Sequence, residues 1–229
     1  MDNRHLTVQL RCRGIRVIFC LMAAIILSGC VGLIMPPYGY VASDSQKVRK
    51  EDRDCIIPKN APSISQGYNP QFAETENEKS ILGHHGIDII EKKGTPVIAC
   101  ADGVVIRSSY GPFYGNQIII DHGKVLGGLF IRSKYLHFSK RLVNEGNTIV
   151  RGQQIGTMGR TGLLGGFSHL HYEIQVSDQL DPSHFHSTNP HRFWADGVGI
   201  VTCFDKHRHW QDRPFRTTYP VPCLGVDWR

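Results

Sequence analysis

Five residues have the types and spacing to do metal-assisted chemistry: His84 and Asp88, then His137, then His169 and His171. A hydrolytic zinc site uses about three protein ligands and keeps one position open. A His-x3-Asp pair and one member of a distant His-x-His pair would supply them. The other member of that pair and His137 would then stand free beside a metal-activated water.

The elements that carry these residues read as strands. Asp88 leads into Ile89-Ile90. Residues an even number apart on a strand share a face, so an extended segment would aim His84 and Asp88 at one point. From His169 to Val176 the chain alternates: His169, His171, Glu173 and Gln175 against Leu170, Tyr172, Ile174 and Val176. That period of two marks a half-buried strand with both histidines on its polar side. His85 would point away from a ligand face and reads as a neighbour. His122, His184, His186, His191, His207 and His209 lack comparable context and read as surface or structural residues.

Further blocks surround these residues. Gly83-His84-His85-Gly86-Ile87-Asp88 is followed by Gly94-Thr95-Pro96-Val97-Ile98-Ala99 with Gly103-Val104-Val105, then Asp121-His122-Gly123 and Tyr135-Leu136-His137. Gly152-Gln153-Gln154-Ile155-Gly156 and His169-Leu170-His171-Tyr172-Glu173 complete the series. In this order, over roughly residues 60–190, they resemble the lysostaphin-like, or LytM-type, zinc metallopeptidases. The resemblance implies the duplicated hybrid motif fold. It also implies one Zn2+ per chain held by His84, Asp88 and His171, with His137 and His169 as the catalytic pair. One histidine would accept a proton from water and the other would stabilise the oxyanion; which does which stays open. The loop Thr161–Ser168 departs from the family pattern: it is one residue longer, and Ser168 stands where proline is common. Substrate preference is therefore open.

The implied activity is endopeptidase hydrolysis of peptide cross-links in peptidoglycan, of D,D type, in a Gram-negative cell between D-alanine and meso-diaminopimelate, with stem peptides as partners. Glycyl-glycine cleavage is an alternative. Another is a catalytically silent envelope regulator that activates cell-wall amidases, although such proteins typically lack a ligand that is present here. The carboxypeptidase relatives of this chemistry use a Glu-x-x-His segment that is not evident. An envelope regulatory partner is a further possibility.

The N-terminal segment bears on compartment. Arg4, Arg11, Arg13 and Arg16 precede an apolar run from Val17 to Leu27, the plan of a signal peptide. Leu27-Ser28-Gly29-Cys30 resembles a bacterial lipoprotein box, which implies cleavage before Cys30 and a lipid anchor on its thiol. The alternative is an uncleaved helix from Val17 to Met35. Either reading puts the domain outside the cytoplasm. In a Gram-negative cell Val31 after the cysteine suggests the periplasmic face of the outer membrane.

Four of 26 basic residues and one of 20 acidic ones precede Cys30, so the remainder is 22 basic against 19 acidic. That mild excess, without a basic run interleaved with aromatics, gives no case for nucleic acid. The expected division is a signal peptide at 1–29, anchor and linker at 30–58, the metallopeptidase domain at 59–190 and a C-terminal extension at 191–229. The linker includes Pro36-Pro37 and a charged stretch that buries little.

Within the domain, Thr95–Ala99, Val104–Ile106 and Ile118–Ile120 read as strands between glycine turns. A short helix is expected near Ser139–Val143. The fold class is mainly β, an antiparallel sandwich with a groove. Four cysteines follow Cys30. The expected pairing is Cys203 with Cys223 and Cys55 with Cys100, free thiols being the alternative. The extension, rich in Trp, His, Arg and Pro, reads as a tail covering a sheet edge rather than a cap over the cleft or a wall-binding surface.

Overall fold

The computed structural model describes residues 55–69, 83–125, 127–211 and 214–229. The proposed signal segment, Cys30 and the linker up to residue 54 lie outside the described residues.

Eleven strands are described, and they make up nearly all the regular secondary structure of the described residues. They are β1 (Ser63–Gln66), β2 (Ile87–Ile90), β3 (Pro96–Ile98), β4 (Gly103–Gly111), β5 (Gly115–Lys124) and β6 (Phe130–Phe138). They continue with β7 (Lys140–Arg141), β8 (Thr148–Ile149), β9 (Gln154–Thr157), β10 (His169–Ser177) and β11 (His186–Thr188). Among the described residues one sheet runs β1-β2-β10-β6-β5-β4-β8, with β11 added along β10, and a smaller one runs β3-β9-β7. All strand pairs are antiparallel, so the expected fold class holds.

Alternation in the sequence builds the core directly. Leu170, Tyr172, Ile174 and Val176 of β10 face inward with Ile87 and Ile89 of β2, Ile118 and Ile120 of β5, and Tyr135 of β6. Val97 and Ile155 from the smaller sheet close this core from the other side. The three strands anticipated from sequence are all present, and β4 and β5 extend well past their expected limits. The expected helix near Ser139–Val143 does not form. Lys140 and Arg141 pair with β9 as β7, because Thr157 and Gly156 offer an open edge there. Helical structure among the described residues is limited to 3-10 turns at Leu163–Gly165, Pro182–His184 and Pro190–Arg192.

The C-terminal segment packs into this same core. Trp194, Val201, Tyr219 and Val221 are buried, and the indole of Trp194 lies nearly parallel to Tyr172, with ring centres 6.2 Å apart. Thr218 N–H donates to the Cys100 carbonyl at 2.9 Å and Ile98 N–H to the Pro220 carbonyl at 2.9 Å, so the tail lies along the open edge of β3. That edge would otherwise present unpaired backbone groups. The Cys203–Cys223 disulfide straps the tail, with Cα atoms 5.8 Å apart.

The second expected bridge is absent: Cys55 and Cys100 are free thiols. Cys100 lies wholly inside the core, whereas Cys55 is only partly buried, its sulfur 3.1 Å from His191 Nδ1. Burial pushes the Cys55 thiol up to about 12, so it stays protonated.

The tail meets the face of β10 that carries Tyr172, opposite the one carrying His169 and His171. Replacing both Cys203 and Cys223 by serine should therefore lower stability without altering the histidine face. For the 20 residues separating them, loop-closure entropy predicts a loss of about 3 kcal/mol. Urea unfolding of the metal-free chain reads that loss, and metal binding by the folded double variant should match the parent.

Candidate metal centre and catalytic histidines

The register of two strands sets the centre. Asp88 lies directly opposite His171 across the β2–β10 ladder, and His171 lies opposite Leu136 across the β10–β6 ladder. Asp88 Oδ1 is 2.8 Å from His171 Nδ1 and 3.1 Å from His84 Nε2, and those two nitrogens are 3.1 Å apart. Three potential ligand atoms thus converge on one point.

His84 arrives by a different route from the expected one. It does not share an extended strand with Asp88. It forms an isolated bridge with Asn69, and the chain then bends at Gly86 before β2 begins. A Cβ on Gly86 would stand 2.4 Å from the Tyr172 carbonyl oxygen and 2.9 Å from His171 Nε2. Only glycine lets this segment lie so close to β10.

The outer nitrogens of the rings determine what faces inward. His84 Nδ1 is 2.6 Å from the Gly67 carbonyl, and only an N–H can be aimed at a carbonyl oxygen. Nδ1 therefore carries the proton and Nε2 presents its lone pair to the centre. His171 Nε2 points at Glu173 Oε1, 3.2 Å away, and directs Nδ1 inward. Glu173 is itself held by Lys134 Nζ at 3.0 Å and by Gln175 Nε2 at 2.9 Å. This is the supporting layer that metal-binding imidazoles normally have.

Charge follows from these contacts. Burial raises the Asp88 carboxyl, but the hydrogen bond from His171 and the close imidazole of His84 outweigh it and hold the group far below the carboxylate range. Burial likewise raises Glu173, yet His171 and Lys134 bring it down to about 2. Burial lowers His171, and its bonds to Asp88 and Glu173 reverse this, taking it to about 9. In the metal-free chain a single proton on His171 Nδ1 serves a cluster of inward-facing lone pairs. A divalent cation would satisfy all of them at once. Two imidazoles and a carboxylate, with outer nitrogens anchored, fit zinc.

The second pair of histidines stands alongside. The rings of His137 and His169 have centres 4.7 Å apart, and His169 Nε2 is 3.8 Å from Asp88 Oδ1. His137 Nδ1–H donates to the Thr161 carbonyl at 2.9 Å, and His169 Nδ1–H to the Phe167 carbonyl at 3.0 Å. Both rings therefore leave Nε2 unprotonated, that of His169 on the side of Asp88. Burial lowers His137 to about 4 despite the Thr161 contact, and burial also lowers His169. Both are neutral at pH 7 and able to accept a proton.

Regular alternation would not bring His137 here. Tyr135 faces the core, and two residues on His137 would follow it inward. Instead Leu136 and His137 together oppose Gln117, because Asn116 pairs with Phe138 and Ile118 with Tyr135. This bulge turns His137 to the polar face and returns Phe138 to the core. It leaves His137 with φ 66°, the one positive value among described non-glycine residues. Such backbone costs on the order of 1–3 kcal/mol and persists only where neighbours enforce it. Thr161 is the enforcing neighbour. Its Oγ1 donates to the Phe138 carbonyl at 2.8 Å and accepts from Asn116 N–H at 2.9 Å, while its carbonyl holds the ring.

All five residues singled out from sequence therefore meet at one place. Glu173, Lys134 and Thr161 were missed as functional. Parity had put Glu173 on the correct face, but nothing in a linear pattern signals what its carboxylate touches. Among the other histidines, His85 bonds Ser187 Oγ at 2.9 Å, and His122 bridges the Asp102 carbonyl at 2.6 Å and Ser133 Oγ at 2.8 Å. Both rings thus hydrogen-bond other parts of the chain.

Metal affinity should depend on pH through His171, whose ordinary value is 6.5 and which stands at about 9 in the metal-free chain. Below that value the proton occupies the nitrogen a metal needs. Affinity should thus rise with pH through neutrality and level off near 9, with one proton released per ion bound at pH 7. Zinc titration calorimetry in buffers of different ionisation enthalpy measures that proton directly. The proton's own stabilising effect has the opposite dependence: it is complete below 6.5 and lost as pH rises through about 9.

Part of this sequence is similar to known proteins. Residues 82–182 match the model of Peptidase family M23. Peptidoglycan DD-endopeptidase ShyC of Vibrio cholerae is 41% identical over 114 residues, covering 50% of this chain and 25% of that protein. ShyB of the same organism is 34% identical over 123 residues, covering 54% and 27%. The DD-carboxypeptidase/endopeptidase Mpg of Neisseria meningitidis is 38% identical over 96 residues, covering 42% and 21%. The chain thus spans about a quarter of the length of these curated relatives. Among solved structures, a zinc-containing peptidase from Vibrio cholerae aligns with TM-score 0.46 and 30% identity, over 59% of this chain and 38% of that one. The catalytic domain of lysostaphin from Staphylococcus simulans aligns with TM-score 0.43 and 28% identity, over 56% and 89%. Residues 82–182, with the three converging side chains and the paired histidines inside them, are similar to Peptidase family M23.

Proposed function

We propose that this protein is a zinc endopeptidase that hydrolyses peptide cross-links of peptidoglycan, at the bond between D-alanine and diaminopimelate. The observation that carries the reading is the convergence of His84 Nε2, Asp88 Oδ1 and His171 Nδ1 beside two uncharged histidines. The substrate class is supported by relatives named peptidoglycan DD-endopeptidases. A zinc ion held by those ligands would supply Lewis-acid chemistry, acidifying water and polarising a carbonyl.

The chain's own residues do the rest. His137 and His169 each have one nitrogen fixed on a backbone carbonyl and the other free. One accepts the proton of the attacking water. That proton then passes to the leaving amine as the peptide C–N bond breaks. Once protonated, a ring at this position also offers an N–H to the developing oxyanion. The same reading anchors the protein in the cell envelope through a lipid on Cys30, on the strength of the basic segment and the Leu27–Cys30 pattern.

Purified protein incubated with sacculi should convert cross-linked muropeptide dimers to monomers, and a chelator should stop it; mass analysis of the digest reads both. Retained dimers in the zinc-loaded digest would rule the activity out. His171→Ala should lose the metal, whereas His137→Ala should keep it and lose turnover by about 10²- to 10⁴-fold.

Thr161→Val removes the hydroxyl that pins the loop but keeps its shape. Zinc content should be unchanged, kcat should fall about 10- to 100-fold with little change in KM, and Thr161→Ser should restore it. A Thr161→Val enzyme with parental kcat would show that the bulge holds His137 unaided.

A further inference from the structure

The described surface beside the histidine pair is apolar. Two loops form it: the turn Pro112–Tyr114 and the segment Leu163–Phe167. Leu163 N–H donates to the Pro112 carbonyl at 2.9 Å and Leu164 N–H to the Phe113 carbonyl at 3.0 Å. A Cβ on Gly115 would stand 2.2 Å from the Thr161 carbonyl, so the loops interlock with no space between them. On top, Leu163 is 77% exposed, Leu164 58% and Phe113 58%, and Tyr114 and Phe167 are exposed as well. Contiguous bare apolar groups of this kind are normally covered by a partner.

The ledge is continuous with the active centre. The Phe167 ring lies 4.6 Å from that of His169, and the Tyr114 carbonyl accepts the His137 N–H at 3.1 Å. Neither 111–116 nor 161–169 contains an Asp, Glu, Lys or Arg. Across the histidines the face changes character. Lys134 stands opposite Glu173, with which it is paired at 3.0 Å, and Arg132 stands opposite Gln175 and 3.9 Å from Asp121. Lys134 Nζ lies 4.8 Å from the centre of the Tyr114 ring, which marks the border.

The proposed scissile bond has the same asymmetry. On its carbonyl side is an alanine bearing only a methyl group. On its amine side the carbon attached to nitrogen carries a carboxylate. Resting on the endopeptidase reading, we infer that the Phe113–Leu163–Leu164 ledge is the subsite for the alanyl side of the cross-link. The charged diaminopimelyl side then lies toward the polar face that carries the paired charges of Lys134 and Arg132, and the substrate is threaded in one direction. Apolar burial favours the methyl over the ledge, and transferring the carboxylate there would cost solvation with no compensating partner.

The test is a cycle between enzyme and substrate. Full-length wild type and the Leu163→Ser/Leu164→Ser double variant are given a synthetic cross-linked dimer with D-alanine at the cleaved position, or with glycine there. Wild type should prefer alanine by about fourfold in kcat/KM, the burial of one methyl group. The double variant should lose that preference while keeping its zinc content and thermal midpoint. A Leu224→Ser variant, altered at a leucine 83% exposed, should behave as wild type. An active double variant that keeps the full alanine preference overturns the assignment. Failure of zinc-loaded wild type on both substrates sinks the endopeptidase reading and this inference together, a result distinct from an unchanged preference.

Discussion

The constraint on which the rest depends is the antiparallel register that sets Asp88 directly against His171. A shift of one residue between β2 and β10 would send every side chain of one strand to the other face, and the carboxylate would enter the core. The register is held by apolar matching: Ile89 opposes Leu170 and Ile87 opposes Tyr172, all fully buried. The polar centre is thus located by the hydrophobic pattern on the reverse side of its own strands.

Register alone would place ring atoms near one another without orienting them. Orientation comes from acceptors behind each imidazole: Gly67, Glu173, Thr161 and Phe167. Three of these are backbone carbonyls, so loop conformation decides which nitrogen of those rings is left unprotonated. His84 and His171 each turn a nitrogen toward Asp88, and His137 and His169 each keep Nε2 unprotonated. Burial then separates the two pairs electrostatically. Asp88 and Glu173 hold His171 charged in the absence of metal, whereas desolvation outweighs all else at His137 and His169.

A strained backbone at His137 requires stiff surroundings. The large sheet is backed by a core that includes Trp194, Tyr219 and Val221 from the tail, and the disulfide ties Cys203 to Cys223. The interlocked loops at Gly115 and Thr161 press on the bulge from the opposite side. Stability drawn from the core and tail offsets the local cost at the bulge.

Much of this was legible in the residues themselves. Alternation along His169–Val176 assigned both faces of β10, and the ordered blocks picked out the ligand trio and the histidine pair. The pairing of Cys203 with Cys223 followed from their proximity in the chain. Other features were not legible. Cys55 and Cys100 never meet, His84 reaches its place around a bend, and Lys140–Arg141 joins a sheet edge instead of forming a helix. The sequence by itself determined which atoms can bind a metal or carry a proton, because element and ionisation chemistry travel with the side chain. Tertiary structure alone decided which way each ring turns and that a bulge lifts His137 out of the core. Those outcomes depend on partners such as Gln117, Thr161 and Glu173, distant in sequence from the groups they position and brought beside them only by strand pairing and loop contact.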